Sequence, residues 1–174
     1  MRIIGDRIDA TRKYIAQAMV TRNRGFIRSE VMDQTASGAD YLNVNAAIFG
    51  EDEEKHLCWV IEVVQEATEL PLCIDSPNPA VIEKVLPLVN RTPIVNAITL
   101  ATERMDAMLR LVVEYETRVI ASCLASSGTA ETAEEKIEIA GRLIRIITDA
   151  GVPLDSLYVD PLAYSLSTNT QSAR

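Results

Sequence analysis

Short apolar runs rich in β-branched residues recur along the chain, each closed by a polar residue and a turn. They are Arg2 to Ile4, Tyr41 to Val44, Leu72 to Ile74, Pro93 to Val95, Val119 to Leu124 and Leu157 to Val159. Continuous apolar runs of this length predict strands buried on both faces. Between them the apolar positions take a helical period. Within Glu51 to Thr68, Leu57, Val60, Ile61 and Val64 fall at i, i+3, i+4 and i+7, and Met105, Met108, Leu109 and Val112 repeat that spacing. Ile137, Ala140, Ile144 and Ile147 form a third stripe, widened by Leu143. Val81, Val85 and Leu88 form a weaker one, Ile27, Val31 and Met32 another, and Arg12 to Arg24 is expected to add a short helix.

Boundary residues agree with these elements. Ser37-Gly38 and Ala150-Gly151 stop helices, and Val152-Pro153 prevents continuation. Asn78-Pro79 starts one, with Asn as cap and Pro at the first helical position. Five strand–helix units and a sixth strand predict an α/β domain with a parallel sheet covered by helices. It is expected to occupy residues 1–174 as one domain, with no linker, internal repeat or low-complexity segment.

Two architectures fit that order: an open doubly wound sheet and a (β/α)8 TIM barrel. An open nucleotide-binding sheet needs a glycine-rich first loop. Gly5-Asp6-Arg7-Ile8-Asp9-Ala10-Thr11, expected to be the loop after the first strand, has a single glycine, and no P-loop motif occurs. A complete barrel normally takes roughly 250 residues, so these 174 residues are expected to form an incomplete one. The strand ends favour it, because polar residues gather there.

Asp75 follows Leu72-Cys73-Ile74, Asn96 follows Ile94-Val95, and Asp160 follows Tyr158-Val159. Asn43 and Asn45 lie at the end of the second strand and Ser122 within the fifth. In a barrel these ends face one mouth, where ligands sit. Asp and Asn at such places commonly cap the next helix instead. Asn78 and Pro79 already supply that start after Asp75, Thr102 is the better cap after Asn96, and Asp160 runs into Pro161. A carboxylate accepts from two adjacent N–H donors, such as a 2-amino-pyrimidinone edge, while Asn reads a neighbouring carbonyl or ring nitrogen. Two Asp and one Asn therefore suit a flat, donor-rich heterocycle better than a phosphosugar.

Composition narrows the partners. Seventeen basic residues against 25 acidic ones give a net charge of −8, which argues against a nucleic-acid or anionic membrane surface. Cys58, Cys73 and Cys123 fit neither a disulfide framework nor a metal-ligand spacing, so a reducing cytoplasmic setting is expected, with no metal site. The N-terminus lacks the apolar core of a signal peptide, and no apolar run reaches membrane-spanning length. His56, the only histidine, is expected to be solvated, in a charged helix start from Glu51 to Lys55. Cys73 is expected to pack rather than react, and Trp59 to lie in the core or an interface. Ser126-Ser127-Gly128 reads as a flexible loop without a nucleophile elbow.

Taken together, Ile3-Ile4-Gly5-Asp6-Arg7-Ile8-Asp9, Leu42-Asn43-Val44-Asn45, Leu72-Cys73-Ile74-Asp75-Ser76 and Val95-Asn96 resemble the methyltetrahydrofolate–corrinoid methyltransferases. Tyr158-Val159-Asp160-Pro161-Leu162 adds to the likeness, and Ser167-Thr168-Asn169-Thr170-Gln171 resembles the branch serving glycine betaine systems. The resemblance runs in order over the whole chain. It implies a pterin-binding barrel similar to that of dihydropteroate synthase. It also implies methyl transfer from N5 of methyltetrahydrofolate to Co(I) of cobalamin or another corrinoid on a partner protein. By position in the motifs, Asp75, Asn96 and Asp160 would hold the pterin. A further Asn that contacts N5 would lie on a seventh strand, beyond Arg174. A homodimer is expected for the intact parent. Asp6 stands where the family usually has Glu, Asp9 where Asn is usual, and Asn43 where some members have Asp. Alternatives are a non-catalytic folate- or pterin-binding module, an inactive fragment, and a dihydropteroate synthase-like enzyme. The last would need an Arg-bearing loop and glycine-rich phosphate contacts that Asn45 to Gly50 and Asp160 to Ala163 do not supply.

Overall fold

Runs of branched apolar residues form the strands here; those at Tyr41–Asn45 and Leu72–Asp75 are buried along nearly their whole length, whereas Leu157–Asp160, expected to be buried on both faces, leaves Val159 41% exposed. The computed structural model describes residues 1–100, 104–125, 128–130 and 132–162. It divides into two compact units, Met1–Asn96 and Ala97–Arg174.

The first unit runs β1 (Ile4–Asp9), α1 (Lys13–Val20), α2 (Arg24–Ala36), β2 (Tyr41–Asn45), α3 (Glu53–Ala67), β3 (Leu72–Asp75), α4 (Pro79–Val85) and β4 (Ile94–Ile98), which begins in it. β1 pairs with β2, β2 with β3 and β3 with β4, all parallel. Leu42, Val44, Leu72, Ile74 and Val95 occupy one side of this sheet, fully or almost fully buried. α3 packs against β2 and α2. Its stripe of Leu57, Val60, Ile61 and Val64 is completely buried, each side chain stabilising the fold by roughly 1.5–3 kcal/mol. Asn78 caps α4 by accepting from the Ala80 N–H at 3.1 Å, with Pro79 opening the first turn as expected. Gly38 ends α2 with φ of +90°, a conformation that favours glycine.

The second unit runs α5 (Met105–Glu114), β5 (Arg118–Ser122), β6 (Leu124–Ala125), β7 (Gly128–Thr129), α6 (Ala133–Asp149) and β8 (Leu157–Asp160). β5 and β8 are parallel, and β6 and β7 form a small antiparallel hairpin. Thr132 and Glu135 make a capping box at the start of α6, and Gly151 ends that helix at φ +99°.

Several expectations change. The first strand is not Arg2 to Ile4 but β1, so Gly5 to Asp9 are strand rather than loop. Ile3 is tied down through its carbonyl, which accepts from the Asp40 and Tyr41 N–H groups, but the ladder starts at Ile4. Val119 to Leu124 divides at Cys123, giving the end of β5 and the start of β6. On α6 the buried residues are Ile139, Leu143 and Ile147, while Ile137 is 71% exposed. That helix carries isoleucines on two faces, so its period alone permits either stripe. Met32 and Leu88 are also exposed. The charged start of α3 is only partly solvated: Glu53 and His56 are buried, and the His56 ring stacks on Phe49 at 3.9 Å between centroids. Trp59 is half-buried beneath the Arg22 guanidinium, 4.9 Å from the ring centroid. Thr102, Ser126, Ser127, Ala163 and the Ser167 to Gln171 motif lie outside the described residues. Among the described residues, no helix is long and apolar enough to cross a membrane.

Candidate functional site

β1, β2 and β3 end level with one another, while β4 runs two residues further to Ile98, so Asn96, expected just after its strand, lies within it. Asp9 pairs with Asn45, Asn45 with Asp75, and Asp75 with Asn96. Four polar residues therefore form one row across four strands, on the side opposite Val44, Ile74 and Val95. Two residues back on the same side stand Asn43 and Cys73.

β1 joins this row only because it is irregular. Gly5 pairs with Leu42 and Ile8 with Val44, so three steps on β1 match two on β2. That extra residue is a β-bulge, and it reverses the alternation of facing along the strand. Asp6 stays on Asn43's side, and Asp9 rather than Ile8 reaches the row. The Asn43 Nδ2 donates to Asp6 Oδ1 at 2.8 Å.

The amides are held in definite orientations. Asn45 Oδ1 accepts from the Ala47 N–H at 2.9 Å in a local turn, which leaves its NH2 for Asp75. Burial pushes the Asp75 carboxyl above its ordinary value; hydrogen bonds from Asn45 and Asn43 oppose this, and the charges of Asp9 and Asp6 add to it. Burial likewise raises Asp6, opposed by the Asn43 hydrogen bond, raised further by Asp9 and lowered by Arg12. Asn43 Oδ1 is buried with no hydrogen-bond partner among the described residues. Asp9 is partly engaged already, its Oδ1 accepting from the Thr11 N–H at 2.8 Å. Cys73 is buried beside these acids, and burial first, then Asp75 and Asp6, push its thiol far up. It is inert as a nucleophile.

The second unit brings Ser122 and Asp160 together at paired positions on β5 and β8. Ser122 Oγ donates to Asp160 Oδ2 at 3.4 Å, and Asp160 Oδ1 accepts from the Leu162 N–H at 2.9 Å. One oxygen of Asp160 thus holds its own strand end, where Leu162 takes a left-handed φ of +51°, and the other the neighbouring strand β5. Among the described residues, no group of three or more His, Cys, Asp or Glu is arranged to hold a metal ion.

Of the residues singled out from sequence, Asn43, Asn45, Asp75 and Asn96 share one face of the first unit, and Ser122 and Asp160 share the second. Sequence alone marks Asp6 and Asp9 only as departures from a family pattern, in a segment expected to be loop. Their spacing of three, odd for two strand residues on one face, is the sequence's one trace of the bulge.

The family described as pterin binding enzyme matches residues 7–174, and the chain belongs to it. It is 30% identical over 174 residues to the methylcorrinoid:tetrahydrofolate methyltransferase of Eubacterium limosum, covering 99% of this chain and 64% of that protein. It is 27% identical to the methionine synthase of Mycobacterium tuberculosis, covering 99% of this chain but 15% of that protein. This chain thus spans less than two thirds of either relative. Among solved structures, dihydropteroate synthase from Xanthomonas albilineans in complex with 7,8-dihydropteroate aligns with a TM-score of 0.70 at 21% identity, covering 98% of this chain and 63% of that one. The Thermus thermophilus dihydropteroate synthase gives 0.69 at 20%, covering 92% and 58%. The fold is therefore that of the pterin-binding (β/α)8 barrels, represented among the described residues by parallel β1–β4 in the first unit and parallel β5 and β8 in the second.

Proposed function

We propose that this member of the pterin binding enzymes holds the pterin ring of a folate at Asp75 and moves a methyl group between the folate N5 and the cobalt of a separate corrinoid protein. The observation that carries the reading is the row of Asp9, Asn45, Asp75 and Asn96, backed by Asp6 and Asn43. A pterin presents adjacent N–H donors on its pyrimidinone edge, and the row offers a carboxylate flanked by oriented amides to receive them. The unsatisfied Asn43 Oδ1 is a further acceptor in the same cluster. Asp75 is strained by burial and by two neighbouring acids, so two ligand N–H groups would relieve it. Asn96 would read the adjoining edge.

The corrinoid protein supplies the cobalt that accepts or donates the methyl group. The chain's own residues bind the pterin and fix its orientation, which places N5 and its methyl for in-line transfer. The Eubacterium limosum relative is named for transfer from methylcorrinoid to tetrahydrofolate. The same pterin contacts serve either direction, because forward and reverse reactions share one transition state. Transfer from methyltetrahydrofolate to Co(I) and its reverse are therefore distinguished by the relative stability of the two methylated partners.

The test supplies 5-methyltetrahydrofolate and reduced corrinoid protein to the longest available form of the protein and follows cobalt methylation by absorbance. Methyl transfer in either direction supports the reading. Tight folate binding without transfer would make the protein a pterin-binding module, and condensation of a pterin diphosphate with 4-aminobenzoate would make it a dihydropteroate synthase.

A further inference from the structure

Glu30 and Gln34 are a helical turn apart on α2, and each is only 6% exposed. Long polar side chains are rarely so buried unless they are paired. Both are paired with the bulge of β1. Gln34 Oε1 accepts from the Arg7 N–H at 2.9 Å, and its Nε2 donates back to the Glu30 carbonyl at 3.3 Å. Glu30 meets the Arg7 guanidinium at two points: Nη2 donates to Oε1 at 2.9 Å, and Nε lies 2.8 Å from Oε2. A bulge leaves a backbone group out of the ladder, and here Gln34 satisfies it. Gly5 makes room: a Cβ there would stand 2.6 Å from Gln34 Oε1 and 3.1 Å from Leu42 Cδ2.

We infer that Glu30 and Gln34 are positioning residues for the pterin site, clamping Arg7 at the bulge so that Asp6 is presented to Asn43. Arg7 and Asp6 are consecutive and point to different partners, so fixing one fixes the other. Asn43 then stands between two carboxylates, Asp6 and Asp75, with its NH2 directed by both. The functional consequence rests on the folate reading above; the clamp itself does not.

The test separates the two. The Asp75 carboxyl is titrated by carbon-detected NMR without folate. Asp6 and Asp9 from β1, Asn43 and Asn45 from β2, Asn96 from β4 and Cys73 on its own strand are the polar and titratable groups about it. The Asp6 charge raises Asp75, so Asp6→Asn should move the Asp75 titration to lower pH. Gln34→Met keeps the side-chain length but removes the acceptor, and Gly5→Ala displaces Gln34 by a different route. Each should shift Asp75 in the same direction, and neither should shift it further in an Asp6→Asn background. Glu30→Gln carries the test if either variant fails to fold. An unchanged Asp75 titration in a folded variant, or shifts that add to that of Asp6→Asn, would overturn the inference. Calorimetry with 5-methyltetrahydrofolate should show Gln34→Met binding about 2- to 10-fold more weakly, the worth of one neutral hydrogen bond. A parent chain that binds no folate sinks the folate reading, while the NMR titration still decides the clamp.

Discussion

Replacing Asp75 by asparagine should loosen ligand binding and, relative to the parent, relieve the fold as pH rises. The Asp75 carboxyl is raised above its ordinary value of 3.8, chiefly by burial, with Asp9 and Asp6 adding and Asn45 and Asn43 opposing. The native state therefore holds this proton more tightly than the unfolded chain. Stability contributed by Asp75 is full at pH values below 3.8 and is lost as pH rises through its native value. Asparagine has no such charge. It does force one of the two amide donors to give up its acceptor, a loss of about 0.5–1.5 kcal/mol, but that loss is independent of pH. The melting temperature of Asp75→Asn minus that of the parent should therefore increase between about pH 3.5 and pH 8. Each kcal/mol corresponds to about 2–4 °C at this chain length. For the ligand, loss of one charge-assisted pair costs roughly 1.5–3 kcal/mol, or about 10- to 150-fold in affinity. Melts across that pH range and calorimetry with 5-methyltetrahydrofolate measure the two effects. Parallel melting curves would refute the strained carboxylate, and equal affinities would remove Asp75 from the site.

Asn96→Ala should weaken folate binding by only about 0.5–1.5 kcal/mol, the value of a neutral hydrogen bond, and a loss exceeding that of Asp75→Asn in the same titration would reverse their ranks. Burial and then the Arg22 charge hold the His56 imidazole below its ordinary 6.5; the native state thus binds this proton less readily, and stability should fall as pH drops through 6.5. His56→Phe, which retains a ring against Phe49, should flatten that part of the melting profile between about pH 7.5 and 5. Gly141 lies inside α6 with open space where an added Cβ would stand, so Gly141→Ala should stabilise by about 0.5–1 kcal/mol. Gly151→Ala, at φ +99°, should destabilise by about 1 kcal/mol or more in the same denaturant titration.

Apolar period locates most elements because most side chains obey their local pattern. The α3 stripe is buried at all four positions read from sequence, and Asn78-Pro79 opens α4 where expected. Period fails where one helix offers two apolar faces, as α6 does, because the choice between Ile137 and Ile139 belongs to tertiary packing. It also fails at His56, whose charged neighbours in sequence say nothing of Phe49 stacked above it or of the Met19 carbonyl that its ring reaches. Asp75 and Asn45 are legible since each ends an apolar strand, and Asn96 since it follows Ile94-Val95, although its strand continues to Ile98. Their common level is a matter of register, which no single strand encodes.

Five residues that break local rules in the first unit converge on one place. Gly5 is a poor strand former, Asp6 and Arg7 are polar within a strand, and Glu30 and Gln34 are polar on the buried side of a helix. Each would weaken the fold if considered alone. Together they satisfy one another: Gly5 admits Gln34, Gln34 takes the Arg7 N–H, Glu30 takes the guanidinium, and the bulge they stabilise adjoins Asp6, which accepts from Asn43, and brings Asp9 to Asn45. A regular β1 would place Ile8 beside Asn45 and leave Asp9 facing away. Local conflicts of this sort gather where a fold serves a ligand rather than its own stability. The bulge is thus the point at which the pterin-binding barrel exchanges strand regularity for Asp9 in the polar row beside Asn45, next to the Asp6 that holds the Asn43 amide.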